Sequence, residues 1–160
     1  MSNIIYPKLE CIHPYKNRWI IRWNFHEEEG ATIDFNFKEF IGKPSLDNIK
    51  KTILDWYNQQ TDQKILSGFT WKDYPVWLST ENQFNYKAAH DLAVMTNGAS
   101  LSDPENPVVF KFGTDAEPFY YRFEELADIQ DFYIKSVSYV ARTLKEGWNV
   151  KEAINWEEYQ

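Results

Sequence analysis

The chain is short of cysteine: Cys11 stands alone in 160 residues. A single thiol excludes an intrachain disulfide and any zinc site built on several thiolates. Glycines number only 6, and they form no phosphate loop, no dinucleotide fingerprint and no nucleophile elbow. The paired-histidine zinc motif of metalloproteases is missing as well. No apolar run approaches the ~20 residues that a bilayer-crossing helix requires. The opening residues MSNIIYPKLE lack a charged segment leading into an apolar one, so the expected location is the cytoplasm in which the chain is made.

Basic clusters are also lacking. The net charge is −7; residues 1–80 carry 10 basic and 10 acidic side chains, whereas residues 81–160 carry 7 and 14. An acidic surface repels phosphate backbones and anionic lipid, so nucleic acid and membrane are not expected as partners.

Aromatic residues are abundant, with 7 Trp, 10 Tyr and 11 Phe, and they supply burial area in large pieces. A chain of this length can bury roughly 70% of its unfolded surface, enough for a core without covalent staples. The expectation is one domain over 1–160, within which a meander–helix part (1–66) and a hairpin–helix–hairpin–helix unit (67–160) can be distinguished.

From Lys8 to Phe37 the pattern predicts a β-meander. Trp19, Ile21, Trp23 and Phe25 alternate with Arg18, Arg22 and Asn24, and Ile33, Phe35 and Phe37 alternate with Asp34 and Asn36. Two such strands make an antiparallel sheet with one buried face. HEEEG reads as a polar connection. Ser45 is placed to cap a helix near 45–60 that carries Leu46, Ile49, Ile53, Trp56 and Tyr57 and ends in QQTDQ.

Ile65, Phe69 and Trp71 then alternate as a strand over 64–71, with Gly68 marking a bulge or a close backbone approach. KDYP is the turn and 75–78 the returning strand. Thr80 and Gln83 form a capping-box pattern opening a helix near 80–96 that carries Phe84, Ala88, Leu92 and Met95, closed by Asn97-Gly98. A second hairpin over 107–113 and 118–123 follows. The longest helix, near 123–146, places Leu126, Ile129, Tyr133, Val137, Val140 and Leu144 in one stripe. Gly147 ends it, and Asn149 with Glu152 can cap one further turn. The order is βββα-ββα-ββα: an α+β fold of antiparallel sheet and three main helices, with no parallel crossover.

Chemistry-bearing residues form no persuasive set. His26 with Glu27, Glu28 and Glu29 points its side chains in divergent directions, so a solvated acidic turn is the expectation and no metal is assigned. Cys11 and His13 share a strand face without a third orienting group, which favours a small buried thiol. His90 and Asp91, adjacent on a helix and about 100° apart around it, are not expected to couple. Glu124 with Glu125 and Glu157 with Glu158 read as helix-end and tail charges. No catalytic residue and no cofactor is expected, and the chain reads as a non-enzyme.

Five aromatics stand out of phase with the buried faces or in turns and tails: Tyr74, Trp77, Tyr120, Trp148 and Trp156. Such residues need a second cover or a partner, and Trp and Tyr dominate interface hot spots. They are the expected interaction site, for a partner protein or another copy of the chain, with sugar stacking as the alternative.

The stretch GFTWKDYPVWLSTENQFNYKAAHDLA, continued by PVVFKF, FYYRF and EGWNVKEAINW, resembles a domain family of phage and prophage proteins from gut anaerobes. Some members of that family are encoded near tail genes. The resemblance covers about residues 68–156, and residues 1–67 do not share in it. It implies a structural or adaptor role in a virion or tail, with other phage proteins as partners, and it supplies no catalytic residues to carry across. A carbohydrate-binding module and a small hydrolase using His90 or His26 are the alternatives.

Overall fold

The computed structural model describes residues 6–28 and 32–160. The order is β1 (Leu9–His13), β2 (Arg18–Glu28), β3 (Thr32–Ile41), α1 (Leu46–Ser67), β4 (Phe69–Trp71), β5 (Tyr74–Val76), α2 (Thr80–Met95), β6 (Val109–Gly113), β7 (Pro118–Arg122) and α3 (Leu126–Glu152). All strand ladders among these residues are antiparallel: a β1-β2-β3 meander and the hairpins β4-β5 and β6-β7. The fold is α+β in the order βββα-ββα-ββα, as the sequence pattern predicts. None of the described helices is long and apolar enough to cross a membrane.

The chain forms two compact units, residues 6–57 with 150–160 and residues 58–149. This division differs from a cut at 66/67. The boundary falls inside α1, and the C-terminal residues 150–160 belong with the meander.

In the first unit, Ile21 and Trp23 of β2 pack with Leu9, Phe40 and the α1 residues Leu46, Ile49, Ile53 and Trp56. Tyr159 closes this core and donates its hydroxyl to the Arg22 carbonyl at 2.8 Å. Phe35 and Phe37 do not join it. Cross-strand partners share a face, and the register pairs Arg22 with Phe37 and Trp23 with Asn36. Phe35 and Phe37 therefore stand on the arginine side, while Phe40, opposite Trp19, faces the core. The two predicted apolar faces are opposite each other instead of coincident.

Phe25 crosses to that side as well. The ladder shifts register between Trp23 and His26, where Asn24 adopts φ +54°, and a bulge reverses the alternation. Phe25, Phe35, Phe37 and Tyr6 then make a second aromatic row. The Arg22 guanidinium lies 5.4 Å from the Phe35 centroid and 2.8 Å from Glu10. His26 and Glu27 continue β2 where the sequence suggested a turn, and His26 Nε2 lies 3.3 Å from Asp34 across the ladder. Glu29 lies outside the described residues. His13 accepts the Lys16 N–H at 3.3 Å, capping a short 3-10 turn.

The second unit is organised on Phe132 of α3. The rings of Phe69, Trp71, Tyr86, Phe110, Phe112 and Phe123 all have centroids within 4.9–6.3 Å of it. Trp71 Nε1 donates to Asp131 at 2.9 Å, so the one polar atom of a buried indole has a partner.

Two glycines mark close helix approaches. A Cβ on Gly147 would lie 2.4 Å from Thr61 Oγ1, and one on Gly68 would lie 2.2 Å from the Tyr139 hydroxyl. Gly147 is consequently a packing glycine inside α3, and the predicted stop there is overridden. α1 likewise runs on through QQTDQ to Ser67, so Ile65 is helical and β4 is only three residues long.

Candidate interaction surfaces

The β4-β5 hairpin turns on Lys72 and Asp73, both with positive φ (47° and 66°), the conformation of a two-residue type I′ turn. The turn is one step earlier than KDYP suggests, so Tyr74 and Pro75 are strand residues. Lys72 is held there by Asp128 at 3.2 Å and by the Tyr121 hydroxyl at 3.0 Å, and its ammonium lies 4.6 Å from the Trp71 centroid. Tyr121 also donates to Asp128. Hydrogen bonding from Tyr121 foremost, then from Lys72, holds the Asp128 carboxyl below its ordinary value. Trp71, then Lys135, does the same for Asp131. These groups fasten the hairpin to α3; sequence spacing gave no sign of them because they meet only in the fold.

Register decides the fate of the five expected aromatics. Tyr74 pairs with Trp71 and stacks on Phe119 at 3.9 Å with ring planes 3° apart, and it remains 38% exposed. One ring face is covered by Phe119 and the rest stays at the surface. Trp156 is packing, half-buried against the first unit's core, 5.9 Å from Tyr159 and under the Lys50 ammonium at 5.7 Å. Trp148 is exposed on α3, and Tyr120 is exposed on the outer face of β7 opposite Lys111. Trp77 is 50% exposed.

Trp77 is placed by the start of α2. Ser79, not Thr80, caps that helix by accepting the Asn82 N–H at 3.2 Å. Asn82 Nδ2 donates to the Trp77 carbonyl and Gln83 Nε2 to the Leu78 carbonyl, each at 2.8 Å. The indole borders an open groove of about 730 Å³ walled by Pro75, Asn85, Phe110, Lys111 and Asp115. Lys111 ties Trp77's groove to Tyr120 across the β6-β7 pair. The five residues therefore do not form one site.

A surface not anticipated as such lies on α2. Tyr86 and Ala93 are its buried residues, and Ala89 packs beside them. Phe84, Ala88, Leu92 and Met95, the stripe that marked this helix in the sequence, face outward: Phe84 is 71% exposed, Leu92 51% and Met95 83%. At about 100° per residue, Phe84, Ala88 and Met95 sit half a turn away from Tyr86 and Ala93. The helix has two apolar faces, and only one is used by its own unit. The stripe itself was legible; that it was the outer one was not, because Tyr86, Ala89 and Ala93 form an equally regular competitor.

Beside this surface, His90 stacks on Tyr133 at 4.2 Å and its Nδ1 lies 3.1 Å from Asp91 Oδ1. The two neighbours do couple, although they stand about 100° apart on the helix. Asp91 is also paired with Lys87, and that bond foremost lowers its pKa. No family model, curated protein or solved structure matches the chain.

Proposed function

We propose that the chain is a non-catalytic structural or adaptor protein of a phage or prophage particle, working through protein contacts made by residues 58–149. The observation that carries this reading is the outward stripe of α2. Large apolar side chains gathered on one exposed face mark interaction sites, and a helix amphipathic on both sides has one face to spare for a partner. The resemblance of residues 68–156 to phage and prophage domains supports the setting. The acidic second half suits a partner with a basic rim and keeps an apolar face from sticking indiscriminately.

The test is the composition of purified particles. The protein should be present at fixed stoichiometry, and a photo-crosslinking residue at position 88 should join it to a particle protein, whereas one at the exposed Tyr15 should not. Absence from the particles, or crosslinking from neither position, contradicts the reading.

The groove at Trp77 favours a second reading, a carbohydrate site. A half-exposed indole beside Asn85, Lys111 and Asp115 offers a stacking face with polar groups around it. Polysaccharides should then perturb the tryptophan fluorescence of the wild type and not of Trp77→Ala.

A further inference from the structure

We infer that the outer face of α2 pairs with the same face of a second copy, antiparallel and about a two-fold axis near residues 89 and 90. The inference rests on the reading of residues 58–149 as a contact unit, and names its partner.

The face is self-complementary under that operation. An isologous contact requires that each residue meet a suitable mate on the identical surface. With the axis between residues 89 and 90, Phe84 meets Met95 of the second copy, a ring-to-thioether contact. Near the axis, Ala88 leaves room that Leu92 of the second copy fills, small against large. On one flank Lys87 and Asp91 stand one turn apart. Inversion of the helix direction brings Lys87 of each copy to Asp91 of the other, so both intrachain pairs become a four-charge arrangement of alternating sign. A parallel pairing would instead align Lys87 with Lys87 and Asp91 with Asp91, which repels. Charge thus selects the antiparallel arrangement, as polar flanks do in helix pairs.

α3 adds to the same side. Its first turn meets the end of α2, where a Cβ on Gly98 would lie 3.7 Å from Leu126 Cβ, and Tyr133 stacks on His90 further along. The two helices therefore run antiparallel. Ile134 and Val137, next to Tyr133 and one turn beyond it, are exposed. A 16-residue helix is ~24 Å long, so its face falls short of the roughly 800 Å² per partner of a standard interface. The dimer is accordingly expected to be weak, with a dissociation constant on the order of micromolar.

The experiment uses sedimentation or light scattering of the full chain across concentration, with Lys87→Glu and Asp91→Lys as separate variants. The wild type should pass from monomer to dimer. Each variant alone should weaken self-association by about tenfold or more, since like charges then face each other on both sides of the axis. An equimolar mixture of the two should recover a mixed dimer. In it the two introduced charges, of opposite sign, face each other across one side of the axis, and the native Lys87 and Asp91 face each other across the other. Circular dichroism checks that both variants keep their helices, as exposed substitutions do. A wild type that remains monomeric overturns the proposal and leaves the face to a different protein. So does a dimer indifferent to both variants, or a mixture that fails to recover it. The particle test fails or succeeds separately, since purified particles can contain a monomer and a dimer can lie outside them.

Discussion

The two units use their aromatic residues in opposite ways. In residues 58–149 the rings converge on Phe132 and enclose it. In residues 6–57 with 150–160 they separate into two rows, Trp23 and Phe40 toward α1 and Phe25, Phe35 and Phe37 with Arg22 on the far side of the sheet. The difference comes from strand length and register. Short hairpins leave little room for a register change, and all inward residues of β6 and β7 land on one face. Strands of 11 and 10 residues accommodate a bulge at Asn24 and a pairing that sets Phe37 against Arg22.

That contrast predicts where a lost ring hurts most. Phe132→Ala should produce the largest loss in the molecule, about 3–5 kcal/mol, because six ring neighbours lose their shared contact at once. Phe37→Ala should cost less than about 1 kcal/mol, its ring being mostly exposed. Equilibrium denaturation of the two variants measures the gap, and equal losses would erase the distinction drawn between the units.

Gly147→Ala comes next. In an open helix the change would stabilise by roughly 1 kcal/mol; here the new methyl meets Thr61, and a net loss of about 1–3 kcal/mol is expected. Adding Thr61→Ala should recover part of it. Additive effects in the double variant would show that the two residues do not touch.

The fold class was legible because hairpin-length spacing and 3.6-residue stripes were both strong in 68–146. Two details were settled by contacts distant in sequence. Gly147 looked like a helix stop until Thr61 stood against it. KDYP reads as a four-residue turn, but Lys72 reaches Tyr121 and Asp128, which supports a tighter turn and sets Tyr74 in the strand, stacked on Phe119. His90 and Asp91 are neighbours about 100° apart on the helix, and side-chain length lets their polar atoms meet all the same. Of the five aromatics, Tyr74, Trp77, Tyr120 and Trp148 are exposed, though Tyr74 has one ring face on Phe119, while Trp156 is half-buried against mates that no local pattern reveals. On α2 two apolar faces are present, and the sequence does not say which one the core takes.

A smaller effect concerns pH. Asp128 and Asp131 are held below the ordinary carboxylate value of 3.8 by their partners. Their contribution is therefore complete above about pH 4 and disappears as the pH falls through their lowered folded-state values. Tyr121→Phe with Trp71→Phe removes the foremost partner of each carboxylate and should flatten the acid limb of the stability profile, and an unchanged limb would show that these carboxylates do not govern it. The groups are mostly solvated, so the effect should be modest.

The smallest stability effect is also the most informative. Phe84→Ser and Met95→Ser, together, should leave the unfolding free energy within about 0.5 kcal/mol of wild type while abolishing the concentration dependence of the molecular mass. That outcome places the stripe outside the core and on a contact surface. A loss of about 2 kcal/mol or more on unfolding, with association unchanged, would mean that α2 packs its Phe84 face inward after all.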